Sequence, residues 1–160
     1  MPNWSAIWLA SLTLSRLQHL LVEPSPSPTS AHNRIITPHP GEAGRLLGLS
    51  AAEVQEDRAA ALAALQARYE GTVVLKGAGT LVSSTPVPYL CSSGNPGMGS
   101  AGMGDVLTGI IAGLLGQGVP DAAVIAVEAH ARAGDRAAAS GERGLLASDL
   151  LDQLRAVVNP

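Results

Sequence analysis

Thr72-Val73-Val74-Leu75-Lys76-Gly77-Ala78-Gly79-Thr80 is the stretch whose reading decides the fold class. Val73, Val74 and Leu75 follow one another without a polar interruption, the pattern of a strand covered on both faces in a parallel sheet. Lys76 ends the run and two glycines turn the chain. Upstream, Ser50 caps a predicted helix over residues 51–69, with Glu53 at the capping-box position and Gly71 as its stop. Before it, Ile35-Ile36-Thr37 reads as a short strand, and a short helix from Glu42 to Gly48 is entered at Pro40. Downstream, short strands over 80–84 and 87–91 flank a turn at Thr85-Pro86. A glycine-rich loop from Ser93 to Gly104 then leads into an apolar helix over 105–115, where Gly109 and Gly113, one turn apart, allow close packing. Pro120 opens a helix over 121–139 and Ser148 caps the last, over 149–158. Strands interleaved with helices predict a layered α/β domain.

The 160 residues suit one domain, and 46% hydrophobic against 14% charged residues suffice for a globular core. With no Phe, and only Trp4, Trp8, Tyr69 and Tyr89 as aromatics, that core must be aliphatic and base-stacking platforms are not expected. The net charge is -3 and the basic residues are scattered, so no stripe exists for a nucleic-acid backbone. Cys91, the sole cysteine, excludes an intramolecular disulfide and multi-cysteine metal sites and fits a cytoplasmic setting. No basic residue precedes Arg16, so the start lacks a signal-peptide n-region, and no apolar run reaches membrane-spanning length; a soluble protein without a membrane partner is expected. Residues 1–34 differ in texture: an amphipathic stretch over 7–22 is followed by the stiff connector Pro24-Ser25-Pro26-Ser27-Pro28.

The densest chemical signal is Gly94-Asn95-Pro96-Gly97-Met98-Gly99-Ser100-Ala101-Gly102-Met103-Gly104-Asp105. Glycines let successive N–H groups converge on one anion, and a following helix adds its positive dipole end, so the loop reads as a phosphate cradle. Asp105, where loop becomes helix, is by default a first-turn acid. Beside a bound phosphate, however, a carboxylate is costly unless it has a task, and accepting a proton from a substrate hydroxyl during phosphoryl transfer is one. Gly97, Gly99 and Gly102 satisfy a dinucleotide-binding spacing, but Pro120-Asp121 begins a helix where that unit needs a second strand ending in an acid. No Gly-Lys-Ser or Gly-Lys-Thr exists, which excludes a Walker A loop.

Lys76 is the only lysine of a chain that otherwise uses arginine, and it stands at a strand end beside glycines, as a point charge near phosphate would. His39, between Pro38 and Pro40 and ahead of Gly41 and Glu42, is held at a strand's carboxyl end, where open α/β sheets bind ligands. His130 sits in an Ala-rich helix and reads as structural.

Three stretches together, Ile36-Thr37-Pro38-His39-Pro40-Gly41-Glu42, Val74 to Thr80 and Gly94 to Gly109, resemble the ADP/ATP-dependent NAD(P)H-hydrate dehydratase family. The resemblance covers residues 35–160, including the ending Leu145 to Pro160. It implies a ribokinase-like three-layer αβα fold with a mainly parallel sheet, of which the N-terminal half is missing, since nothing in residues 1–34 matches it. It also implies repair of NADHX and NADPHX, the hydrated cofactors: a nucleotide, ADP or ATP with Mg2+, phosphorylates the hydrate hydroxyl of the S-epimer, and phosphate then leaves. Carried over, His39, Pro40, Gly41, Glu42, Ala43, Gly44 and Arg45 resemble hydrated-cofactor contacts and Asp105 the base beside the substrate. Lys76, Gly77, Ala78, Gly79 and Thr80, with Asn95, Pro96, Gly97, Met98, Gly99, Ser100, Ala101, Gly102, Met103 and Gly104, resemble nucleotide contacts. The metal ligands, a homo-oligomer, dependence on the missing half and an epimerase acting upstream stay open. So do a ribokinase-like kinase for another small alcohol and a non-catalytic nucleotide-binding remnant.

Overall fold

The computed structural model describes residues 34–83 and 87–159. The stretch over 7–22, the Pro/Ser connector and the Thr85-Pro86 turn lie outside them. The elements run β1 (Ile35–Ile36), α1 (Pro40–Leu47), α2 (Ala51–Glu56), α3 (Arg58–Tyr69), β2 (Thr72–Leu75), β3 (Thr80–Val82), β4 (Tyr89–Cys91), α4 (Met103–Gly116), α5 (Ala122–Ala137) and α6 (Ala147–Val158). Short 3-10 turns occupy Pro96–Gly99 and Ala138–Ser140. The strands follow the order β1-β2-β3-β4. Two compact units result: one takes the described residues up to Gly77 with 81–89, the other 78–80 with 90–159.

In the first unit β2 is the buried strand its sequence announces, with Val73, Val74 and Leu75 fully covered. It pairs parallel with β1, Ile36 opposite Val73, and antiparallel with β3, Val74 opposite Val82. At the end of β3, Ser83 extends the ladder: its N–H donates to the Val73 carbonyl at 3.0 Å and its hydroxyl accepts from Val73 N at 2.8 Å. Leu46 of α1, Val54 of α2, and Leu62 and Leu65 of α3 pack with Ile36, Val73 and Leu75 into an aliphatic core.

The expected single helix over 51–69 is two helices. Ser50 does cap the first, accepting from Glu53 N at 3.2 Å while the Glu53 carboxylate accepts from Ser50 N at 2.7 Å. That backbone bond, more than the hydroxyl, holds the Glu53 carboxyl below its ordinary pKa. At Asp57 the backbone leaves the helix (φ -139, ψ 83), and its carboxylate accepts from Ala60 N at 2.8 Å, capping α3 afresh. A short carboxylate that bonds nearby backbone groups competes with helix continuation, which the apolar pattern does not register.

In the second unit Met103 of α4, Ala133 of α5, Leu150 of α6 and the buried Leu145 share a core. Three helix starts depart from expectation. α4 begins at Met103 rather than Asp105, because Gly102 takes a left-handed conformation (φ 86) that sets the first turn earlier. Pro120 lies before α5 rather than at its first position, and Asp121, itself left-handed (φ 52), precedes Ala122. α6 starts at Ala147, and its reciprocal bond comes from the Asp149 carboxylate accepting from Leu146 N at 2.8 Å, not from a Ser148 cap. Around Gly109 and Gly113 no described atom lies within 4 Å of where a Cβ would stand, so the close packing expected of them is not met there. Among the described residues no helix is long and apolar enough to cross a membrane.

Candidate functional site

The motif residues divide between the units. In the first, His39 is the N-cap of α1: its Nδ1 accepts from Gly41 N at 3.0 Å and from Glu42 N at 3.3 Å. In the neutral ring the proton therefore sits on Nε2, the nitrogen on the side of the Glu42 carboxylate. Pro40 at the first helical position lacks the N–H that would go unpaired there, and its neighbour Pro38 gives its carbonyl to Lys76 N at 2.9 Å, tying the His39 loop to the end of β2. Glu42 closes the arrangement. Its carboxylate accepts from His39 N at 2.7 Å and stands 3.7 Å from Lys76 Nζ and 3.5 Å from His39 Nε2. Ala43 and Gly44 are buried, and Arg45 lies in the last turn of α1. The structure thus brings His39, Glu42 and Lys76 together, making Glu42 the link between two motifs 34 residues apart, since 76 less 42 is 34.

Arg58 was not singled out by the sequence. Its guanidinium donates to the Leu75 carbonyl at 3.1 Å and lies within 3.5 Å of the Lys76 carbonyl, so it closes the same strand end. Burial lowers its pKa from the ordinary value. A side chain at Gly77 would crowd this guanidinium. One apolar-looking helix start, Arg58-Ala59-Ala60-Ala61, gave no sign of the contact, which only packing of α3 on β2 creates.

In the second unit lie Ala78, Gly79 and Thr80, the glycine-rich loop and Asp105. The loop is ordered by hydrogen bonds. Asn95 Oδ1 accepts from Gly97 N at 3.1 Å, Met98 N donates to the Asn95 carbonyl at 3.1 Å, and Pro96–Gly99 forms a 3-10 turn. Gly97 must be glycine, because a Cβ there would overlap the Glu142 carbonyl. After this turn come the backbone N–H groups of Ser100, Ala101, Gly102, Met103 and Gly104, together with the buried Ser100 hydroxyl, which has no hydrogen-bond partner among the described residues. These donors sit at the start of α4, where the helix dipole favours negative charge. Asp105 is in the first turn, exposed, its N–H donating to Gly102 O at 3.0 Å.

Two acids of α5 that the sequence reading passed over hold the loop from the side. Asp135 accepts from Gly94 N and from Asn95 Nδ2, both at 2.9 Å. Glu128 accepts from the Ser93 hydroxyl at 3.2 Å, from Arg132 Nε at 2.6 Å and from the Cys91 thiol at 3.4 Å. Burial first, with the acids nearby, pushes the Cys91 thiol up to about 11, so it is protonated and unreactive at neutral pH. Among the described residues no group of three or more His, Cys, Asp or Glu is placed to hold a metal ion.

The family model for NAD(P)H-hydrate dehydratase matches residues 15–156, reaching upstream of the motif-bearing stretch. The bifunctional NAD(P)H-hydrate repair enzyme Nnr of Vibrio cholerae is 57% identical over 136 residues, 83% of this chain and 28% of the relative. The ADP/ATP-dependent NAD(P)H-hydrate dehydratase of Bacillus subtilis, crystallised with ATP/Mg2+, superposes with a TM-score of 0.72 at 35% identity, covering 78% of this chain and 47% of its own. A ribokinase-like superfamily protein of Enterococcus faecalis superposes with a TM-score of 0.69 at 30% identity, covering 82% and 46%. The α/β fold is therefore ribokinase-like, and the chain spans under half the length of each of these proteins.

Proposed function

Because the chain belongs to the NAD(P)H-hydrate dehydratase family, we propose that it carries the nucleotide-binding and catalytic part of a repair enzyme that dehydrates the S-epimer of NADHX and NADPHX to NADH and NADPH. Residues 35–160 hold the three motif stretches of that domain. The observation that carries the reading is the run of donors from Ser100 to Gly104 leading into α4, with the buried Ser100 hydroxyl, which has no partner among the described residues, among them. Such a run fits the terminal phosphates of ADP or ATP.

In this reading the hydrate hydroxyl attacks the terminal phosphoryl group, its proton passes to Asp105, and the shortened nucleotide leaves. The phosphate ester then loses phosphate as the C–O bond breaks and the ring double bond forms with loss of the neighbouring C–H proton. Lys76 to Thr80 and Asn95 to Gly104 are the nucleotide contacts, Lys76 supplying a point charge to phosphate. His39 to Arg45 and Asp105 meet the hydrated cofactor. Magnesium, when bound, neutralises charge on the phosphoryl oxygens. With no cluster of three protein ligands among the described residues, its oxygens would come mainly from phosphates and water, as Mg2+ prefers. The cytoplasm, where these cofactors turn over, is the setting we assign.

Titration with ADP or ATP tests the reading through thermal unfolding. At about 100-fold excess over Kd, linkage predicts about 2.7 kcal/mol of stabilisation. A folded chain unmoved by either nucleotide refutes it, and phosphorylation of another alcohol while NADHX is left untouched would replace the dehydratase by a kinase.

A further inference from the structure

Helix α5 presents Glu128, Ala131, Gly134 and Asp135 at spacings of three, six and seven residues, which places them on one helix face. Every one of them meets the segment leading into the phosphate loop. Glu128 takes the Ser93 hydroxyl, a Cβ at Gly94 would stand 3.8 Å from the Ala131 methyl, and the Met98 thioether lies where a side chain at Gly134 would go. Asp135 takes Gly94 N and Asn95 Nδ2, and Asn95 in turn takes Gly97 N. We propose that Asp135 is a positioning residue for nucleotide binding: through Asn95 it sets the 3-10 turn from which the donors of Ser100 to Gly104 are presented. The proposal rests on the reading of that loop as a phosphate site.

The direction of each bond makes the proposal specific. Asn95 is a relay with one donor and one acceptor, its amide hydrogen going to Asp135 and its oxygen receiving Gly97 N. Asp135 must accept twice, from Gly94 N and from Asn95, and only a carboxylate offers two acceptor atoms there. Such charge-assisted bonds are the stronger kind. A carboxylate near a phosphate site is otherwise repulsive, and two donors drawn into its own bonds account for its placement. In Asp135→Asn one of the two atoms becomes a donor. It opposes the Asn95 amide, and if Asn95 flips to accept it, Asn95 then presents its NH2 to Gly97 N, so one bond of the three is lost either way. Asn95→Asp fails in the opposite sense, setting carboxylate against carboxylate. The double variant Asn95→Asp/Asp135→Asn restores all three: the new amide at 135 accepts from Gly94 N and donates to the carboxylate at 95, which still accepts from Gly97 N.

The test measures ATP and ADP affinity by calorimetry, and amide exchange of Gly94 and Gly97 by NMR without nucleotide, in the parent, both single variants and the double variant. The expected result is at least a tenfold loss of affinity and faster exchange in each single variant, with both readouts recovering in the double variant to within about threefold of the parent. A general structural role for Asp135 would not be rescued by moving the charge to position 95. Unchanged affinity in Asp135→Asn, or a double variant no better than the worse single one, overturns the proposal. If Asp135→Asn and the double variant both fail to fold, Asp135 is a folding determinant and the proposal falls. If the parent binds neither nucleotide, the phosphate reading fails, and the exchange measurements alone then show whether the relay exists.

Discussion

Alanine at Gly97 and at Gly99 separates the packing of the loop from its approach to a ligand. At Gly97 a Cβ would overlap the Glu142 carbonyl oxygen, lie 3.1 Å from the Glu142 carbonyl carbon and 3.0 Å from Asn95 Oδ1. None of these can swing aside, since two are main chain and the third is bonded to Gly97 N. Relief requires the turn to lift. Overpacking of this kind costs about 1–3 kcal/mol, and loss of the Gly97–Asn95 bond adds about 1 kcal/mol. At about 2–4 °C per kcal/mol for a chain of this size, Tm should fall by roughly 5–15 °C. Around Gly99 no atom of the described residues lies within 4 Å of a Cβ, and its φ is not in the left-handed region. Alanine there should leave Tm unchanged or raise it, by up to about 1 kcal/mol of stability. If phosphate nevertheless approaches the backbone at Gly99, the same methyl weakens ADP or ATP by about tenfold, or about 1.4 kcal/mol. Thermal unfolding followed by circular dichroism, with calorimetry for nucleotide, reads both quantities. A Gly97→Ala variant that melts with the parent refutes the seating of the turn on Glu142, and unchanged nucleotide affinity in Gly99→Ala refutes close approach of phosphate at that residue.

Lys76→Ala should weaken nucleotide binding more than Lys76→Arg, since charge is the first requirement and guanidinium shape the second; equal calorimetric affinity in parent and Lys76→Ala makes the lysine a partner of Glu42 only. In a chimera that supplies the rest of the relatives' domain, Asp105→Asn should keep nucleotide affinity and lose about 10²–10⁴ in the rate of nicotinamide absorbance recovery from NADHX, whereas parental turnover reduces Asp105 to a first-turn acid. The Cys91 thiol, raised in the fold from its ordinary 9.0 to about 11, favours the folded state fully below pH 9, and that contribution is lost as pH rises from 9 to 11. Unfolding by urea should therefore show an alkaline loss of stability that Cys91→Ala diminishes, and an identical pH profile in the variant refutes the assignment.

The residues whose neighbours are close in sequence were legible before any coordinates. Val73 to Leu75 read as a buried strand because three aliphatic residues in succession leave no face for water, and they are fully covered. Ser50 and Glu53 read as a capping box because both partners lie within one turn, and the bonds are present. The glycine loop and the acid in the first turn after it were legible for the same reason, although a left-handed Gly102 moved the helix start two residues earlier. Asp57 escaped because its side chain competes with a helix that the apolar spacing alone would continue.

What the tertiary structure decided is which distant groups complete those local motifs. Glu42 reaches Lys76, Arg58 closes the carbonyls at the end of β2, and Glu128 and Asp135 hold a loop some 40 residues earlier in the chain. An acid on a helix reads as a solvated face from sequence alone, since its periodicity gives the face and not what is laid against it. Local signals are set by backbone geometry over one turn or one strand pair, whereas these contacts depend on how separate elements pack, a choice made by burial of the whole aliphatic core.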